Sequence, residues 1–197
     1  MKKNRLLAAV VLATLVFFLL PITNLFAERT DVSNIHDTIM PKNNYMISAE
    51  PELDFDPGAN GRMYATAYFR FGAGLTEHID ISCKYGTTTG AKPYYGAHLE
   101  THFIKTEFIN FATSIGAHYR NGAILDYTPA IIHNFEKFSI ATGPEFNWKI
   151  TRDKKIMLDI FLGISIPFAR SMKLTVDVGF PILNDTYWIS TGWAAYF

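Results

Sequence analysis

From Tyr45 to the last residue, apolar and polar side chains alternate with a period of two, and turn-forming residues break the alternation at regular intervals. In a strand that period sends successive side chains to opposite faces. In Tyr45–Phe55, for example, Tyr45, Ile47, Ala49, Leu53 and Phe55 share one face, and Met46, Ser48, Glu50, Glu52 and Asp54 the other. The pattern predicts ten strands: Tyr45–Phe55, Arg62–Ala73, Ile79–Tyr85, Tyr94–Phe103, Phe108–Arg120, Ala123–His133, Phe138–Ile150, Ile156–Phe168, Lys173–Ile182 and Tyr187–Phe197. Pro51 and Pro129 interrupt the first and sixth, which leaves eight or twelve strands open. The joining segments are short, with Asp56 to Gly61 and Gly74 to His78 the plainest turns.

Alternation does not say which face meets water, because a soluble sandwich shows it too. Two features favour a membrane barrel. Aromatic residues sort to the strand ends, with Phe71, Phe103, Phe108, Phe135, Phe138, Phe168 and Phe197 at one end. Tyr85, Tyr95, Tyr119, Tyr127, Trp148 and Tyr187 lie at the other, and Ala, Leu, Ile and Val fill the span between. Two aromatic girdles around an apolar band are the outer surface of a transmembrane barrel. The polar face carries Gly72, Gly96, Gly116, Gly143, Gly163, Gly179 and Gly192, and small residues there leave interior space for longer neighbours. The expected fold is all-β: a transmembrane, antiparallel, up-and-down β-barrel over residues 45–197. Its apolar face would meet outer-membrane lipid.

The last strand, YWISTGWAAYF, is apolar and aromatic up to a terminal Phe, whereas free termini usually fray in water. It resembles the closing strand of bacterial outer-membrane β-barrel proteins, in the size range of the small OmpA/OmpW-like barrels. FRFGAGLTEHIDISCKYG resembles their strand–tight turn–strand units. The resemblance implies that Tyr187 to Phe197 is read by the barrel-insertion machinery, and that the source is a Gram-negative bacterium.

The first residues fit export. Lys2, Lys3 and Arg5 precede the apolar run Leu6 to Leu20, Pro21 breaks it, and Leu25-Phe26-Ala27 precedes a cleavage position before Glu28. A signal peptide over 1–27 is expected, then a polar periplasmic lead-in or short plug over 28–44. Eighteen basic and eighteen acidic residues cancel, which excludes a nucleic-acid footprint. The single cysteine, Cys83, is read as a small lipid-facing residue and excludes an internal disulfide.

The polar face carries the candidate chemistry. Nine acids (Glu50, Glu52, Asp54, Asp80, Glu100, Asp126, Glu145, Asp159 and Asp177) face five bases (Arg70, Lys84, Arg120, Lys149 and Lys173), together with His98, His102 and His118. One reading is a charge network that fills the lumen and keeps buried charges partnered, in a barrel with a structural or interaction role. The alternative is a narrow, porin-like, weakly cation-preferring channel for small solutes or ions. His98, Glu100 and His102 share one face and form a weak metal candidate, although side chains two apart on a strand sit about 7 Å apart. No cofactor is expected. An outer-membrane enzyme is the minor alternative. The loops are too short for the extracellular extensions of outer-membrane proteases, and no His-x-Ser of the lipid A deacylase type occurs.

Overall fold

The computed structural model describes Met40 and residues 42–56, 62–88, 92–120, 122–150, 155–183 and 186–197. The expected signal peptide and most of the lead-in lie outside the described residues. Ten strands follow one another: β1 (Tyr45–Asp56), β2 (Arg62–Gly74), β3 (Ile79–Thr88), β4 (Tyr94–Lys105), β5 (Ile109–Tyr119), β6 (Ala123–Asn134), β7 (Ser139–Lys149), β8 (Lys155–Ala169), β9 (Met172–Pro181) and β10 (Tyr187–Tyr196). Each pairs antiparallel with its sequence neighbours, because the short connections leave no length for a crossover. β1 also pairs with β10 and closes a single barrel. The count is ten, and one closed sheet replaces the two stacked sheets of a sandwich.

Closure explains how an apolar terminus stays ordered. The Tyr45 N–H donates to the Phe197 carbonyl at 2.8 Å, and the Phe197 N–H returns to the Tyr45 carbonyl at 3.0 Å. Their rings lie 6.0 Å apart. Every backbone group of a spanning strand must be satisfied within the protein, and only a sheet with no edge achieves this.

Three of the five strand prolines, Pro51, Pro129 and Pro144, sit where that pairing can spare a donor. Pro51 pairs with Ala67 of β2, but the β1–β10 ladder has no partners between Ala49 and Glu52. Pro129 and Pro144 pair outward, with Thr113 and Ile160. They flank the one gap in the β6–β7 ladder, between Tyr127/Phe146 and Ile131/Thr142. Each missing N–H therefore falls on the broken side, and the strand continues on the other. These prolines make local gaps and not edges.

Strand ends differ from the sequence expectation by a few residues. β3 runs on past Tyr85 to Thr88, because Gly86 is a packing glycine and not a turn. A Cβ there would lie 2.5 Å from the Tyr68 ring. β4 continues beyond Phe103 to Lys105 through a register shift between His102 and Ile104. β5 leaves out Phe108 and Arg120, and the other strands differ by one residue at one or both ends.

The two faces separate as the period requires. Ile47, Phe69, Ile81, Leu99, Ile115, Leu125, Leu162 and Ile189 point outward and are exposed, whereas Ser48, Arg70, Asp80, Glu100, Ser114, Asp126 and Asp177 point inward and are buried. The nine candidate girdle residues, Phe71, Tyr85, Phe103, Tyr119, Phe138, Trp148, Phe168, Tyr187 and Phe197, all stand on the outer surface. Ring pairs tie the girdles: Tyr45–Phe71 at 6.1 Å and Phe135–Phe138 at 4.6 Å at one end, Tyr85–Tyr95 at 5.4 Å at the other. Cys83 is exposed on this surface.

Candidate functional site

The inward faces of the ten strands form one lumen, and its contents differ with height. At the end that holds the last strand's final residue, side chains are buried inside the barrel. Asn43, in the left-handed conformation at φ 69° that asparagine tolerates, turns the chain back over the barrel mouth and donates its N–H to the Gly74 carbonyl at 3.2 Å. Met40 is thereby buried against Met46, Ala194 and Tyr196. Its backbone N–H donates to Asp80 Oδ2 at 3.2 Å. Gly72 is the socket for its side chain, since a Cβ at that position would lie 2.6 Å from Met40 Cε. Lys173 is fully buried in this floor, its Nζ 5.7 Å from the Tyr196 ring.

Above the floor the charges of β1 to β4 pair. The Arg70 guanidinium bonds Glu100 and also donates through Nε to Ser82 Oγ at 2.9 Å. The Lys84 ammonium meets Glu50 Oε2 at 2.7 Å, and Ser48 Oγ donates to Glu50 Oε1 at 2.8 Å. These groups meet because the register sets Ser48 opposite Arg70, Arg70 opposite Lys84, and Asp80 opposite Glu100. A buried pair of this kind is stable only when such additional bonds satisfy the remaining donors and acceptors.

Aromatic rings occupy the next level. Tyr68 and Tyr94 meet edge to face at 5.1 Å, with Lys84 Nζ 4.2 Å from the Tyr68 ring centre. Tyr94 stacks on His118 at 4.9 Å. His118 Nδ1 and His98 Nε2 flank the two oxygens of Asp126, at 3.2 Å and 3.4 Å. A chain of bonds then rises toward the opposite mouth. Arg120 Nη2 donates to the Tyr68 hydroxyl at 3.0 Å, which donates to Glu52 Oε1 at 3.1 Å. Arg120 Nη2 also reaches Thr66 Oγ1 at 3.3 Å. At this end Glu52, Asp54, Glu145 and Lys149 are only half-buried.

The fourteen inward charges therefore do not behave alike. Glu50, Arg70, Lys84 and Glu100 form ion pairs with described residues, Asp126 lies between two imidazoles, and Asp80 anchors Met40. Glu52 and Glu145 accept hydrogen bonds from Tyr68 and Asn147 without an ion pair, and Asp177 accepts one from Ser190. Glu145 and Asp159 stand directly opposite each other on β7 and β8. The metal candidate separates: Glu100 goes to Arg70 and His98 to Asp126, while His102 lies toward the floor beside the β4 register shift. Among the described residues, no group of three His, Cys, Asp or Glu side chains is disposed to hold a metal ion. Neighbours two apart on one strand face the same way but splay apart, and each finds its partner on another strand.

Sequence reasoning missed the other wall. Ala112, Ala130, Ile132, Ala141 and Phe161, from β5 to β8, form a buried apolar cluster, with Trp188 packed against it. Gly179 opposite Trp188 leaves room for the indole. The signal was present in the sequence as apolar residues in inward phase.

No protein-family model matches the chain, and no curated protein matches it. Several solved barrels are similar to it. The KdgM porin is 14% identical with a TM-score of 0.47, over 76% of this chain and 99% of that one. Omp33 of Acinetobacter baumannii is 10% identical at 0.40, over 79% and 99%. The N-terminal β-barrel domain of Pseudomonas aeruginosa OprF is 13% identical at 0.39, over 80% and 100%. At these identities the likeness is one of fold alone. Ten strands without an edge, an apolar outer face between two aromatic girdles, and a charged interior make the chain a transmembrane β-barrel of the kind found in bacterial outer membranes.

Proposed function

We propose that the chain is an integral outer-membrane protein with a structural or interaction role, its lumen filled by its own side chains. In this reading residues 1–27 direct export, and Tyr187 to Phe197 engages the barrel-insertion machinery. The observation that carries it is the floor of the lumen, where Met40, Met46, Lys173 and Tyr196 are buried together below the Arg70–Glu100 and Lys84–Glu50 pairs. Side chains buried together at one level in this way support a lumen filled from within.

Two measurements test it. Outer-membrane fractions run on a detergent gel with and without boiling should show a heat-dependent shift in migration. Protein reconstituted in a planar bilayer should then give no steady open events. A channel is the second reading, favoured by Glu52, Asp54, Glu145 and Asp177, inward acids that form no ion pair with described residues. An excess of acid along a narrow path favours small cations. Steady conductance that changes with Glu50→Ala or Asp80→Ala would select the channel over the filled barrel.

A further inference from the structure

The β6–β7 ladder lapses between the Tyr127/Phe146 and Ile131/Thr142 partners, and the same register holds on both sides of the gap. No residue is inserted, so residues 128–130 face residues 143–145 without ladder partners, and Pro129 stands directly opposite Pro144. Neither proline has an N–H to give. The two strands still touch here, since a Cβ on Gly143 would lie 2.0 Å from the Pro129 carbonyl oxygen. On either side of this seam the β5–β6 and β7–β8 ladders run unbroken. Both prolines are in the outward phase of Tyr127, Ile131 and Phe146. Inside, Phe161 is the β8 partner of Gly143, and it belongs with Ala130, Ile132 and Ala141 to the buried apolar cluster on which Trp188 packs. Glu145, the one acid on the seam, accepts a hydrogen bond from Asn147.

Backbone groups without partners are costly in hydrocarbon, and a stretch held by few bonds is where a protein opens locally. We propose that the β6–β7 seam is a lateral opening, through which an acyl chain of the surrounding lipid reaches the apolar side of the lumen. The occupant follows from what lies on the two sides of the wall. Lipid hydrocarbon meets the outer face, and the hydrocarbon of Ala130, Ile132, Ala141 and Phe161 lies behind it. Parting residues 128–130 from 143–145 breaks no ladder pair, and Phe161, which faces a glycine, is the side chain that swings aside. A second ladder gap gives the contrast. The β1–β10 ladder lapses between Ala49/Trp193 and Glu52/Ser190, but the one proline there, Pro51, faces no other. Behind it stands Glu50, bonded to Lys84 and Ser48. A charged inner wall does not receive an acyl chain. The inference shares the membrane placement of the reading above and goes beyond it in giving the apolar wall a ligand.

The test uses the full-length barrel folded into phosphatidylcholine vesicles, with Trp148→Phe and Trp193→Phe so that Trp188 is the sole tryptophan. The probe is the same lipid with bromine near the middle of its acyl chains, which quenches a tryptophan it approaches. Trp188 emission should be weaker in brominated than in plain vesicles. Pro129→Val with Pro144→Val returns two N–H donors to the seam and should remove at least half of that quenching. Thr128→Cys with Glu145→Cys, opposite each other in the same register, closes the seam by a disulfide in a Cys83→Ser background. Its quenching should rise on reduction, and this pair decides the matter if the valine variant does not fold. No quenching in the parent, or quenching that neither the valines nor the disulfide lowers, would mean that the seam stays shut. A parent without a heat-dependent gel shift would refute the membrane placement itself. A barrel that inserts and shows no seam-dependent quenching would refute this opening alone, and bilayer conductance tests the filled lumen independently of both.

Discussion

The two halves of the lumen wall solve the same packing problem by opposite means. On the side of β1 to β4, Glu50, Arg70, Lys84 and Glu100 fill the interior as interlocked charges. On the side of β5 to β8, Ala112, Ala130, Ile132, Ala141 and Phe161 add a hydrocarbon cluster, as in a soluble protein core, beside the inward charges Asp126, Glu145 and Asp159. Ion pairs give direction and fixed partners but depend on every member being satisfied. The apolar side tolerates exchange among groups of similar volume. Their difference teaches that the inward face of a barrel is not a single chemical surface. It is a core assembled from two materials, with Trp188 packed on the apolar one.

The largest effect should come from breaking the charged half. Glu100→Ala leaves the Arg70 guanidinium buried without its carboxylate, and the unfolding free energy should fall by about 3–5 kcal/mol in a urea titration of vesicle-inserted protein. Replacing both partners with apolar residues, as Arg70→Met with Glu100→Leu, should recover most of that loss. If the double variant is no better than the single one, the charged half is not a packing solution.

Phe161→Ala attacks the other half. It empties a position 1% exposed at the centre of the apolar cluster and should cost about 3–4 kcal/mol by the same titration. Unlike the Glu100 change, it should be rescued in part by a larger apolar residue nearby. Ala141→Val is the natural first choice, because Ala141 belongs to the same cluster.

Leu162, next to Phe161 but on the outer surface, gives the outward control. Leu162→Arg should cost about 2–4 kcal/mol in a bilayer, because the outward side chain stands at the middle of β8. A negligible cost there would contradict the membrane placement. The smallest effect expected is at the girdle, where Tyr85→Ala removes the ring contact with Tyr95 and should cost about 1 kcal/mol.

Much of this architecture was legible before any coordinates. Glu50, Arg70, Asp80, Glu100, Asp126, Asp159, Lys173 and Asp177 are buried at alternate strand positions, because a period of two fixes the face of each residue once one is known. Residues that break the local rule were read less well. Gly86 looked like a turn, yet it is the space under the Tyr68 ring. Pro51 interrupted the pattern of its strand and falls at a gap in the β1–β10 ladder, whereas Pro144 drew no notice although it shares a ladder gap with Pro129. His98, Glu100 and His102 looked like a set, but cross-strand partners took two of the three.

The sequence by itself determined the strands, the sense of each face and the girdles, because these follow from local periodicity and from which residues favour hydrocarbon, interface or turn. Only the tertiary structure decided that Asp126 lies between His98 and His118, and that Met40 packs against Met46, Ala194 and Tyr196. Those contacts join different strands, or Met40 to a strand, at separations that reach more than a hundred positions. They depend on strand number, register and tilt together, and no local pattern in the chain encodes that combination.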